Sequence, residues 1–310
     1  MGLDSHGVMR VPQYVHMIRD GGIRPGAKLF IVNDHRGSAT LDCNYNFGQL
    51  AGNKAVELVI ERAREYGVSC VLCRRCGHTG RVGAYTQMAA EAGMVALASS
   101  NGQSKFLNVA PFGGREGRLA TNPISFAAPS GSDPILIDMA TSIVSEGKIR
   151  TYRDKGRPVP EGWILDQDGR HSTDAKGFYG PPRGAILPLG GEQGYKGYFL
   201  ALMVEILCGA LAGDSICQRP QEGSGLCLLA IDVGSFGQQD QFRDMLDELV
   251  AHVKSSAPLE DGEGVTVPGE REFKTAEIRR KQGIPIPEAT WQLIVKVCGE
   301  LNVTPPASIS

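Results

Sequence analysis

The chain has 310 residues, 42% of them hydrophobic and 21% charged, with a formal net charge of −2. That length builds a large core in one domain or two interlocked ones, and the charge balance shows no basic excess for nucleic acid or an anionic membrane. Glycine is abundant, at 40 residues, but has no Gly-X-Y period, which excludes collagen and implies many tight turns, as in α/β enzymes.

The N-terminal stretch has no apolar core of a signal peptide. The longest apolar run, from Tyr198 to Leu211, carries Glu205 and falls short of the roughly 18 residues of a membrane span, so it reads as a buried helix. Eight cysteines are too sparse for a disulfide scaffold, and a reducing, cytoplasmic setting is expected.

In chain order, a helix over 7–17 would place Arg10 and Tyr14 four apart on one face, just beyond His6. Helical spacing at Ala55, Val59, Ala63 and Tyr66 predicts a helix over 51–66, stopped by Gly67. A strand over 68–72, a helix over 84–92 ending at Gly93 and a strand over 94–99 follow. Residues 135–139 read as a buried strand, 151–193 as Pro/Gly-rich loops, 194–212 as an apolar helix and 227–233 as a strand. Residues 239–254 form an amphipathic helix with Phe242, Met245, Leu246, Leu249 and Val253 on its apolar face. After an acidic linker, 271–282 and 287–301 are closing helices. This alternation argues for an α/β layer architecture.

Several motifs bear chemistry. Ser5-His6-Gly7-Val8 is followed by Arg10 and Tyr14. Histidine suits the proton that accompanies hydride transfer to a carbonyl, and arginine suits a carboxylate. A cap at Asp4 or Ser5 before a solvated helix is the competing reading. Cys76-Gly77-His78-Thr79-Gly80-Arg81-Val82-Gly83 sets a histidine among glycines between a strand and a helix, where backbone N–H groups meet anions, although a structural turn explains it equally well. The spacing Cys70-x-x-Cys73-x-x-Cys76 suggests a metal site. Strand alternation sends Cys70 and Cys73 to opposite faces, and no fourth thiolate lies nearby in sequence, so no metal is expected. Asp138, at the end of the strand over 135–139, stands where open sheets bind ligands. Lys196 opens the apolar helix, and Val267-Pro268-Gly269 makes a tight turn into a helix. The G-x-G-x-x-G, G-x-x-x-x-G-K-[ST], G-x-S-x-G and H-E-x-x-H patterns do not occur, so neither a Rossmann site nor a P-loop is supported.

In this order, SHGVMRVPQYV, CGHTGRVGAY, APFGG, ATNPISFAAP, ILIDMATS, EGKI, VPEGWILDQDG, GYKGYFLAL, VPGERE and RRKQGIPIP resemble the type 2 malate/L-lactate dehydrogenase family. HTGRVG and RRKQGIPIP most resemble its hydroxycarboxylate dehydrogenase B branch. The resemblance implies a non-Rossmann α/β fold binding NAD or NADP, with a mixed sheet flanked by helices and a second, interlocked helical and loop layer. It implies an N-terminal substrate and dimer segment over 1–66, a cofactor-binding core over 67–255 and C-terminal helices over 256–310 that return to the start. It further implies a homodimer acting on a small 2-hydroxy or 2-oxo acid, without metal.

By the same resemblance, His6 is the proton donor and acceptor, with His78 as its rival for that role, and Arg10, Ser5, Tyr14 and Asn122 bind the acid. Gly80, Arg81, Val82, Leu136, Ile137, Asp138, Met139, Ala140, Tyr195, Lys196, Gly269, Glu270, Arg271 and Glu272 would meet the cofactor. Arg81 reads equally as a ligand of a 2′-phosphate or of a pyrophosphate. The chain departs from the family pattern in having four residues before SHGV instead of a longer helical segment, in Ala120, in Cys43 after Asp42, and in a longer stretch from Asn101 to Asn108. Cyclic-imine reduction, or weak activity on the same fold, are the alternatives.

Overall fold

In the computed structural model, which describes residues 1–102, 107–213, 223–262 and 264–307, a seven-stranded mixed sheet runs in the order β1-β2-β3-β10-β4-β5-β6. Its strands are β1 (Phe30–His35), β2 (Ser38–Asp42), β3 (Val68–Cys76), β4 (Met94–Ser100), β5 (Ile124–Ala128), β6 (Ile135–Met139) and β10 (Ser224–Asp232). Only β2 and β3 pair in parallel, across the helix α2 (Gly48–Tyr66); every other neighbour is antiparallel. Gly67 ends α2 at φ 81°, a left-handed conformation that glycine takes without strain.

Strand β10 lies at the centre and is apolar on both faces, as a doubly covered strand must be. On one face Leu226 and Leu228 meet Val71 and Cys73, covered by Ala55 and Val59 of α2 and by Tyr85 and Ala89 of α3 (Gly83–Glu91). On the other, Cys227 and Leu72 meet Val204 and Cys208. Val204 belongs to α5 (Tyr195–Glu205), and Cys208 to a π-helical turn over Ile206–Ala210 that continues it.

The stretch expected to be loops carries a three-stranded sheet of β7 (Ile164–Leu165), β8 (His171–Ser172) and β9 (Ala185–Ile186), preceded by α4 (Glu146–Asp154). Ile149 of α4, Phe178, Ile164 and Ile186 form its own core. Helices α6 (Gln239–Lys254), α7 (Glu270–Gln282) and α8 (Glu288–Glu300) complete the chain.

The structure corrects the expected bounds of the first helix and of β3, and it shows which way the α6 stripe faces. The first helix, α1, spans Val11–Arg19, and two single turns of 3₁₀ helix, Asp4–His6 and Val8–Arg10, precede it. The apolar stripe of α6 is not buried: Met245, Leu249 and Val253 are exposed, at 63%, 53% and 42%. Strand β3 runs on to Cys76 through a bulge, because Leu226 pairs with Cys73 but Ser224 with Cys76, so three steps of β3 oppose two of β10. Among the described residues, no helix is long and apolar enough to cross a membrane.

Candidate active site

A cavity of about 240 Å³ opens where the first turns of the chain, the β3–α3 loop and α4 meet. Ser5, His6, Arg10, His78, Gly80 and Asn122 all line it, so residues far apart in sequence converge there. His6 and His78 stack with ring centroids 5.6 Å apart and planes 11° apart. Tyr14 stands behind His78 and shares a hydrogen bond of 2.9 Å with its Nδ1. The Gly80 N–H donates to the same nitrogen at 3.3 Å, and Gln49 Nε2 donates to the Tyr14 hydroxyl at 2.7 Å. A backbone donor on Nδ1 requires that nitrogen to be the bare one, so His78 carries its proton on Nε2 and Tyr14 donates. His6 Nδ1 is buried and has no hydrogen-bond partner among the described residues.

Arg10 is fixed by Nε donating to the Ser5 carbonyl at 2.6 Å and Nη1 donating to Gln13 Oε1 at 2.5 Å. Burial and the nearby Arg150 lower its pKa from the usual guanidinium value. Burial and the positive charge of Arg10 push His6 down to about 4 and His78 down to about 3. Both imidazoles are neutral at pH 7.

Asn122 is fully buried at φ 35°. Its Nδ2 donates to Glu205 Oε1 at 2.8 Å and to the Ala201 carbonyl at 3.1 Å, leaving Oδ1 buried without a partner among the described residues. Asn101 Nδ2 donates to the other carboxylate oxygen of Glu205 at 3.1 Å. Glu205 thus serves as a buried anchor for the cavity floor. An acid inside an apolar helix was a signal that something must satisfy it, and reading the helix only as core missed that. The far wall was also missed: Asn108, Glu146, Arg150 and Arg183 line it, with Arg150 donating to Glu146 Oε2 at 2.8 Å. Glu146 opens the EGKI motif, from which no site role was drawn, and the other three lie singly in loops or on α4 with no pattern of their own.

A second cavity is lined by Leu136, Ile137, Asp138, Met139, Gly269, Arg271 and Glu272, with the turn over 266–268. Gly269 sits at φ 100°, and a Cβ there would come within 3.1 Å of Leu136, so glycine permits α7 to start against the end of β6. Asp138 Oδ2 accepts from Gly83 N at the start of α3 at 3.1 Å and lies 3.9 Å from Arg81 Nε. Burial raises its pKa despite Arg81. Arg81 Nη1 is buried without a partner among the described residues, and Arg81 itself lines neither cavity. Val82 is in the core and caps α3, Ala140 follows β6, and Glu270 binds Lys254 and the Val267 N–H. Tyr195 and Lys196 line neither cavity: Tyr195 packs edge-on to Phe112, with centroids 6.0 Å apart, and Lys196 is exposed with its Nζ 5.9 Å above the Tyr195 ring. Half of the long stretch from Asn101 to Asn108 (103–106) lies outside the described residues.

Residues 1–295 match the model of the family described as malate/L-lactate dehydrogenase. A malate dehydrogenase of Pyrococcus abyssi is 39% identical over 97% of this chain and 83% of its own length. Hydroxycarboxylate dehydrogenase B of Escherichia coli K12, the branch that HTGRVG and RRKQGIPIP favour, is 33% identical over 97% of this chain and 84% of its own. The solved structure of a malate dehydrogenase from Entamoeba histolytica superposes with a TM-score of 0.92 at 29% identity, covering 99% of this chain and 89% of that one. With this match along nearly its whole length, the chain belongs to the malate/L-lactate dehydrogenase family, hydroxyacid oxidoreductases that use a nicotinamide cofactor.

Proposed function

We propose that the chain interconverts a small 2-hydroxy acid and its 2-oxo acid with NAD or NADP, and that His6 carries the proton. The observation that supports His6 over His78 is that His6 lines the cavity with no hydrogen-bond partner on its Nδ1 among the described residues, whereas the His78 Nδ1 is already filled by Tyr14 and Gly80. A bound nicotinamide supplies the acceptor for the hydride from C2 of the hydroxy acid. His6 takes the hydroxyl proton in oxidation and returns it to the developing alkoxide in reduction. Arg10, with N–H groups beyond those bound by Ser5 and Gln13, holds the carboxylate, and Ser5 and Asn122 complete the acid site, whereas Tyr14, off the cavity wall behind His78, is assigned to the acid by resemblance alone. His78, donating from Nε2, steadies the substrate oxygen.

The unpartnered Nη1 of Arg81 and the cavity at the ends of β6 and α7 fit a dinucleotide phosphate and its nucleoside. Gly80, Arg81, Val82, Leu136 to Ala140 and Gly269 to Glu272 are assigned to hold it, whereas Tyr195 and Lys196 are assigned by resemblance alone. A homodimer is assigned on the same ground and a cytoplasmic setting on the sparse cysteines, and light scattering that gives a monomer at working concentration overturns the dimer.

NADH and NADPH oxidation measured against pyruvate, oxaloacetate, aryl-pyruvates, sulfopyruvate and a cyclic imine tests the reaction. Turnover of a 2-oxo acid is expected; turnover of the imine alone would move the reading to imine reduction. His6→Ala should lower kcat by about 10²–10⁴-fold and leave NAD(P) affinity unchanged. If His6→Ala only raises KM and His78→Ala abolishes turnover, the two histidines exchange roles.

A further inference from the structure

Behind the histidine loop, the Sγ atoms of Cys43, Cys73 and Cys76 lie within 4.8 Å of one another, and all three residues are 0% exposed. Cys43 immediately follows β2, while Cys73 and Cys76 belong to β3. The alternation that separates Cys70 from Cys73 holds, since Cys70 packs with Leu72 and Cys227 on the opposite face of the sheet. It fails for Cys76, because the bulge adds one residue and turns Cys76 to the face of Cys73. The bulge sets Arg75 at φ 53°, a conformation that costs energy for any residue with a Cβ. The third thiol, Cys43, comes from the neighbouring strand across the β2–β3 pairing.

We propose that Cys43, Cys73 and Cys76 form a buried three-thiol site for a trivalent thiophile of the arsenite class. Three features select this chemistry. The first is reach: thiolate sulfurs bound about 2.3 Å from one centre lie within roughly 4 Å of one another, so a small inward movement from separations of at most 4.8 Å brings all three onto it. The second is coordination number: among the described residues no further Cys, His, Asp or Glu joins the three sulfurs, and the neighbouring Tyr85 hydroxyl is committed to the Thr79 carbonyl at 2.5 Å. A closed tetrahedral zinc site needs a fourth ligand, whereas trivalent arsenic is satisfied by three. The third is charge. Three thiolates around a divalent ion leave a net negative charge in an apolar core, and around a monovalent ion a larger one, and burying such charge is costly. Three thiolates on trivalent arsenic carry none.

The step balances without an oxidant or reductant. Arsenous acid brings three hydroxyls; each thiol gives its hydrogen to one of them, which leaves as water, while a sulfur–arsenic bond replaces the arsenic–oxygen bond. Arsenic stays trivalent, and the uncharged acid can enter the core during local opening.

Native reduced protein is incubated with sodium arsenite and measured as intact mass. One adduct per chain is expected, equal to one arsenic less three hydrogens, with a loss of three alkylatable thiols. Cys43→Ala should lose that adduct, and Cys227→Ala, on the other face of the sheet, should keep it. Mapping the alkylation-protected cysteines of the unmodified sequence settles the matter even if Cys43→Ala fails to fold. Protection of Cys43, Cys73 and Cys76 supports the site. No adduct, an adduct undiminished in a folded Cys43→Ala, or protection of any other set overturns it.

Discussion

His6 and His78 occupy positions where burial and the Arg10 guanidinium disfavour a second positive charge, and this sets the direction of two pH dependences. With His6 at about 4 in the free protein, the neutral base needed for oxidation is fully present at neutral pH. We expect kcat/KM for hydroxy-acid oxidation to show no limb from His6 above about pH 5, because that ratio reports the free enzyme. Reduction needs the protonated form, so its kcat/KM should fall about tenfold per unit as pH rises from 6 to 8. A reduction profile flat across that range would remove His6 as the acid. Stability follows the same shift. The folded values lie below the ordinary histidine value of 6.5, so between them the unfolded chain binds more protons. The contribution is complete above pH 6.5 and is lost as pH falls towards 4. Melting temperatures should therefore drop on acidification, and less steeply in His6→Asn than in the parent. The residues behind these effects differ in how far sequence showed them. Ser5, His6 and Arg10 sit within one short motif, and His78 in another; spacing alone left a cap or a turn as good a reading, and the family resemblance of the two motifs singled them out. Glu205 and Asn101 meet across 104 positions, and nothing local to either announces the other.

Secondary elements were legible where periodicity was intact and illegible where the sheet edge or a bulge broke it. Helix α2, strand β6 and α6 stand where their patterns put them. Strand β1 is exposed along its whole length and so shows no alternation, and β2 is a short Ser-Ala-Thr-Leu-Asp run with little β-branching. The face of α6 had the right period, but which surface it meets cannot be read from one helix. The start of α2 has the clearest bearing on function. A Cβ on Gly48 would sit 2.5 Å from the His78 carbonyl oxygen and closer still to that of Gly77. Gly48→Ala should therefore displace the histidine loop, lowering kcat at least tenfold and reducing stability by about 1–3 kcal/mol from overpacking. Gly283, at φ 87° and ψ 172° with nothing within 4 Å, is the control: alanine there should cost about 1–3 kcal/mol of strain and leave turnover unchanged. Kinetics and thermal melts of the two variants separate loop displacement from general destabilisation. Equal turnover in both would show that α2 does not set the loop.

At the scale of the molecule, α7 ties the two cavities together. Its leading turn is pinned to β6 by Leu136 N donating to the Pro268 carbonyl at 3.1 Å, and Gly269, Arg271 and Glu272 face the second cavity. Its last turn holds the start of the chain: Arg279 donates to both oxygens of Asp4, at 2.5 and 3.2 Å, two residues before His6. Met1 packs beside Leu136 and Phe273 in the same contact. An Arg–carboxylate fork fixes direction as well as distance, but with Asp4 52% exposed its net worth is on the order of 1 kcal/mol or less. The pair therefore matters for where His6 is held more than for global stability. Arg279→Ala should shift the melting temperature little, raise KM for the acid and lower kcat by roughly two- to tenfold, the range that 1.4 kcal/mol per decade gives for so small a loss. Cofactor affinity should stay put, because Gly269 to Glu272 remain in place. Reversing the pair with Asp4→Arg and Arg279→Asp should restore most of the lost turnover, whereas either reversal alone should be worse than Arg279→Ala. Steady-state kinetics of the four variants, with cofactor binding measured separately, tests this: if the double reversal is no better than the single ones, the helix does not position His6 through this contact.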